Sequence, residues 1–178
     1  MSDLNKELKW IVPAIAACIF GLGIAVGKTV RAAEVPIEGV VQSRCLINTD
    51  VAGVYGNPTA DKLSTAAADG GVQPVIRYDI TLADAYKAKI TTPTDFSTSP
   101  TLNDTVTWTG STEVSEVSDA AMSGYEAAKV EYGATTEYDM TEAGSTWFKV
   151  SSTATYGYNK SLPGGVYRSV VLAECVAK

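Results

Sequence analysis

Apolar and polar residues alternate through the stretch VQPVIRYDITL. Val72, Ile76, Tyr78, Ile80 and Leu82 fall on one face, with Arg77, Asp79 and Thr81 on the other. A period of two over this length predicts a half-buried strand. The same period runs through EVPIEGVVQSRCLIN, where Ile37, Val41, Cys45 and Ile47 are in phase. It returns in TVTWTG (Val106 with Trp108) and in STWFKVSSTATYGY (Phe148 with Val150). In GGVYRSVVLAECVA it aligns Tyr167, Val171 and Cys175. The intervening stretches YGNPTADKL, AADGG, TTPTDFSTSP and NKSLPGG carry turn chemistry. SDAAMSGYEAAKVEYG alone breaks the pattern, and residues 121–129 read either as a short helix or as a loop crossing between sheets. Roughly six to eight short strands with such turns predict an all-β, Ig-like sandwich over residues 42–178. The closing strand is apolar on both faces, with Val166, Val170 and Leu172 opposite the first set. It is therefore expected in the interior, covered on both sides or lying at a subunit contact.

Before residue 33 the pattern changes. WIVPAIAACIFGLGIAVG runs from Trp10 to Gly27 without a charge, between Lys9 and Lys28. That length lies between a signal-peptide core of about 7–15 residues and a spanning helix of about 20. Val30 and Ala32 suit cleavage after residue 32. Lys28 and Arg31 beyond the apolar run oppose the positive-inside tendency, so an uncleaved helix stays open as a membrane anchor or a filament core. Residues 1–32 are thus read as a hydrophobic helix, signal peptide or anchor, touching the membrane only through residues 10–27 if uncleaved. Cys18, in IAAC, sits where a lipoprotein box would place it, but the chain stays apolar to Gly27, so it reads as a small residue of the helix. The body is expected to pass the inner membrane and act outside the cell or on its surface.

Charge and composition narrow the function classes. The formal charge is −6, and residues 1–32 carry four of the 14 basic residues but two of the 20 acidic ones, which leaves −8 on the remainder. A nucleic-acid binder would show a basic stripe instead. The chain has no histidine, which removes the usual neutral-pH base, the Ser-His and Cys-His pairs, and the commonest zinc ligand. No enzyme, cofactor or metal is expected. With Cys18 in the helix, the body keeps Cys45 and Cys175, in the first and last strands and in phase with their apolar faces. An even pair in an exported chain reads as a disulfide, and in a cytoplasmic protein as two buried thiols.

Two end segments carry a resemblance. VPIEGVVQSRCLINTDVAGVYGNPTADKL, with Gly39, Val41, Cys45 and GVYGNP, resembles the start of bacterial pilin domains of the chaperone–usher and spore-coat-U type. STATYGYNKSLPGGVYRSVVLAE resembles the closing pattern of those domains. The resemblance implies a non-catalytic subunit of a pilus or surface filament, with an incomplete Ig-like fold completed by its neighbour's N-terminal strand. Residues 33–41 would be the donor, presenting Val35, Ile37, Gly39 and Val41. Partners would be copies of the chain itself, a periplasmic chaperone and an outer-membrane usher. The chain departs from the family in its cysteines: the strand IRYDITLADA has none, and a bridge from first to last strand suits a sheet that closes within one chain. A membrane-anchored binding domain is the alternative.

Other features read as structural. Asp69 to Gly71 is a turn rather than a calcium loop, and Glu113, Glu116, Asp119, Glu126 and Glu131 form a solvated acidic face. The nine tyrosines serve as core and cross-strand partners. Asn103-Asp104-Thr105 and Asn159-Lys160-Ser161 match the N-glycosylation acceptor pattern.

Overall fold

The longest alternating run in the chain organises the fold. In the computed structural model, which describes Gln42 and residues 44–178, this run is a single strand whose side chains are buried at every second position. The strands are β1 (Cys45–Val51), β2 (Gly56–Thr59), β3 (Lys62–Ser64), β4 (Val75–Ile80), β5 (Tyr86–Thr91), β6 (Val106–Val117), β7 (Val130–Tyr132), β8 (Thr135–Met140), β9 (Gly144–Tyr156) and β10 (Leu172–Ala177). β9 pairs along one side with β6 over its full length. Along its other side it pairs with β4 and then, further on, with β3. β1 lies outside β4 and β2 outside β3, completing a six-stranded antiparallel sheet. The second sheet has the order β10-β5-β8-β7. Between the sheets the chain crosses through a 3-10 turn at Ala120–Gly124, capped by the Asp119 carboxylate on Ala121 N–H, and one helical turn, α1 (Tyr125–Ala128). The ambiguous segment is both short helix and crossing loop.

The two sheets share one core. Ile76, Tyr78, Ile80, Phe148 and Val150 of the first face Ala88, Ile90, Tyr138 and Met140 of the second, all buried. Phe148 is central: its ring lies 5.3 Å edge-on to Tyr78 and 4.5 Å from Tyr138. A buried tyrosine must place its hydroxyl, and here the two do so reciprocally. Tyr78, from the first sheet, donates to the Lys89 and Glu174 carbonyls of the second at 3.2 and 3.3 Å. Tyr138, from the second, donates to the Thr112 carbonyl of the first at 2.9 Å.

Burial pushes both phenols well above the ordinary tyrosine range. The sign for stability follows. The folded form holds these protons more tightly than the unfolded chain, so nothing is lost below about pH 10, where unfolded tyrosine titrates. Above that, stability should fall by about 1.4 kcal/mol per pH unit for each tyrosine. Urea unfolding between pH 9 and 11 should show this loss, and Tyr78→Phe should reduce its slope. Stability that stays level to pH 11 would mean that the phenols are not held in the core.

Beyond Val150, the inner face of the first sheet is covered by loops instead of strands. Phe96 stacks against Trp108 at 4.7 Å and Tyr167 at 5.1 Å, and a short bridge pairs Thr98 with Arg168. Here the expectation for the closing strand needs correcting. Residues 166–171 form a covering loop, and β10 is an edge strand. Its outward side chains Leu172 and Val176, with Val166 and Val170 before it, remain exposed, Val170 at 64%. Only Val171, Ala173 and Cys175 pack against the core. No described residue covers this apolar outer face. Among the described residues no helix is long and apolar enough to cross a membrane.

Candidate functional site

β1 and β10 are the edge strands on the same side of the two sheets, and among the described residues each has a partner on one flank only. Thr81 N–H donates to the Arg44 carbonyl, and Lys178 N–H donates to the Ala85 carbonyl. Alternation along an antiparallel ladder then turns the backbone groups of Cys45, Ile47 and Thr49, and of Ala173, Cys175 and Ala177, away from their partner strands. Side chains at these positions share the phase of buried Ile80, Tyr78, Ile76, Ile90 and Ala88, so they point between the sheets. The seam therefore presents unpaired backbone together with inward side chains.

One end of this seam is closed by the Cys45–Cys175 disulfide, with Cα atoms 6.3 Å apart and a sequence separation of 130. Away from the bridge the seam loosens. Ile47, two residues on and facing inward, is still 37% exposed. Past Thr49 the seam opens into a groove of about 640 Å³, where Thr49, Val54, Pro74 and Ile76 face Pro93 and residues 167–171. Tyr55 ties its floor together, its hydroxyl lying 2.9 Å from Ser152 Oγ and 2.6 Å from Ser169 Oγ. Ser152 N–H donates to Thr65 Oγ1 at 2.9 Å. These polar groups satisfy one another, so the groove offers an incoming group mainly apolar surface. Arg168 is the sole charged residue among its described lining residues. Carboxylate, thiol and imidazole groups are missing from that described lining.

The structure joins Cys45 and Cys175 as the sequence reading expected. The other candidate site residues, Val35, Ile37, Gly39 and Val41, lie outside the described residues, as does Cys18. They precede β1, whose first residue sits at the disulfide-closed end of the seam. Tyr55, Ser152, Arg168 and Ser169 were not singled out by pattern. They come from separate parts of the chain, and only GVYGNP hinted at Tyr55.

The acidic side chains are largely engaged within the fold. Lys129 bridges Glu126 at 2.7 Å and Glu131 at 2.9 Å, and these two carboxylates raise its pKa. Glu126 also accepts from Val114 N–H on the outer edge of β6. The Ser64 hydroxyl and then the Lys62 ammonium hold the Asp69 carboxyl below its usual range. On the outer face of the first sheet, Asp50 accepts from Trp147 Nε1 at 2.7 Å and pairs with Arg77. No family model, curated protein or solved structure matches the chain.

Proposed function

We propose that the chain is an exported, non-catalytic structural subunit whose Ig-like sandwich assembles into a surface filament by β-strand complementation. The observation that carries this is the open seam: two edge strands with unpaired backbone flank an apolar groove, in a chain whose preceding segment alternates Val35, Ile37, Gly39 and Val41. An exposed edge attracts a further strand. Pairing supplies main-chain hydrogen bonds, and side-chain pockets supply register. The exposed Val170 and Leu172 would be covered at the same contact. The disulfide sets a limit, because an incoming strand can seat between the sheets only on the open side of Cys45–Cys175. The partners are copies of the same chain, delivered by a periplasmic chaperone and outer-membrane usher if the pilin resemblance extends to assembly.

Deletion of residues 33–40 tests this. Full-length protein should form filaments visible by negative-stain microscopy, and the deleted chain should be a folded monomer by light scattering. Filaments from the deleted chain would refute strand donation. The competing reading, a membrane-anchored surface domain that binds through this groove, draws on the disulfide that closes the seam within one chain. It predicts a full-length protein that never polymerises.

A further inference from the structure

Four asparagines lie among the described residues, and the fold treats them in two ways. Asn48 donates its amide to Asp79 at 3.0 Å, and Asn57 donates to the carbonyls of Thr59 and Lys62 at 2.8 and 2.9 Å. Neither fits an acceptor pattern: Asn48 is followed by Thr49-Asp50, and Asn57 by Pro58. Asn103 and Asn159 are both exposed. Their side-chain amides make no hydrogen bond to any described residue, and both begin an Asn-x-Ser/Thr triplet. The two amides left unemployed are the two in the chemical context that a glycosyl transferase reads.

Topology brings these triplets together. Asn103 lies three positions before the first residue of β6, and Asn159 three positions after the last residue of β9. Val106 and Tyr156, the facing ends of those strands, are paired. Gly157 N–H donates to the Thr105 carbonyl at 3.0 Å. The middle residues of the triplets, Asp104 and Lys160, form an ion pair with each other. Both triplets lie outside the strands, and Asn159 sits at a turn with φ of 53°. This end of the sheet is remote from the seam's closed end. Cys45 pairs with Ile80, which pairs with Gly144 at the start of β9, so the length of β9, about 40 Å at 3.3 Å per residue, intervenes.

We infer that Asn103 and Asn159 form a paired N-glycosylation site on the end of the sandwich opposite the Cys45–Cys175 disulfide. The donor is a sugar linked through pyrophosphate to a polyprenyl lipid. The asparagine Nδ2 forms a bond to sugar C1 as the C1–oxygen bond to pyrophosphate breaks. The lipid pyrophosphate leaves and the amide gives up one proton. Placed there, the glycans decorate the end of the first sheet remote from the Cys45–Cys175 disulfide. The inference needs export but not filament assembly.

Intact-mass and glycopeptide analysis of the protein from the cells that natively make it provides the test. Peptides containing Asn103 and Asn159 should each carry a sugar mass increment, and those containing Asn48 and Asn57 none. Asn103→Gln should remove one increment without changing the Tm, since its amide has no partner among the described residues to lose. Asn159→Gln should remove the other with only a small fall in Tm, because its φ of 53° favours asparagine over glutamine. Thr105→Ala should remove the Asn103 increment, and Thr105→Ser should keep it. Unmodified Asn103 and Asn159 in native protein recovered from the cell surface would overturn the inference. So would increments found on Asn48 or Asn57 instead. Microscopy of the same samples reads assembly separately, so the two conclusions fail independently.

Discussion

Cys45→Ala protein is expected to melt roughly 10 °C below the parent chain, and Cys175→Ala and the double variant should match it. The bridge closes a loop of 130 residues, for which chain-entropy arguments give about 4–5 kcal/mol and removal of native bridges typically costs about 2–5 kcal/mol. The effect should lie in the upper part of that range because of where the bridge sits. Among the described strands, β1 pairs with β4 alone and β10 with β5 alone. Without the bridge, both edge strands can peel from their partners, and the inward faces of Ile80 and Ala88 lose their cover. Cys18→Ala should leave the Tm unchanged. A Cys45→Ala variant that melts with the parent would show that the seam is held by packing alone. The groove would then lose its fixed end.

What the sequence made legible follows from how local each signal is. β4 reads directly from the order of its residues, because Ile76, Tyr78 and Ile80 are buried and Arg77 and Asp79 are not. Its flanks misled the pattern: Val72 and Leu82 share the phase but lie outside the strand and are 42% exposed. The hairpin of β2 and β3 was hidden inside a turn-rich stretch. Gly56-Asn57-Pro58-Thr59 has turn composition, and its strand character comes from pairing with β3, which in turn leans on β9. Gly56 also approaches the Asp69 carbonyl so closely that a Cβ there would lie 2.0 Å from its oxygen. Nothing in the local sequence foretells that approach. The interior placement expected for the closing strand failed for a related reason. Two apolar faces in sequence say only that both faces meet something. In one chain the inner face meets the core, and the outer face meets nothing described. The groove was not legible at all, since Tyr55, Thr65, Ser152 and Ser169 converge only once the topology is set.

The core makes the second large prediction. Phe148→Ala should destabilise the protein by about 3–5 kcal/mol in urea unfolding, a large part of the roughly 5–15 kcal/mol that holds a typical domain. Phe148 is fully buried, and its ring is the contact that both Tyr78 and Tyr138 share. Those tyrosines carry side-chain hydrogen bonds from the core to the backbone of the opposing sheet. Deleting the ring leaves a cavity between the sheets and frees both phenols to tilt, so hydrogen bonds as well as dispersion contacts weaken. Phe148→Leu keeps most of the volume and should cost clearly less. The near-ultraviolet circular dichroism of Phe148→Ala should fall even below its unfolding transition, because the two tyrosines lose their fixed surroundings. If Phe148→Ala instead costs less than about 1 kcal/mol, within the range of ordinary surface changes, the two sheets are not joined through this aromatic triad. The shared core would then have to rest on the aliphatic contacts of Ile76, Ile90 and Val150.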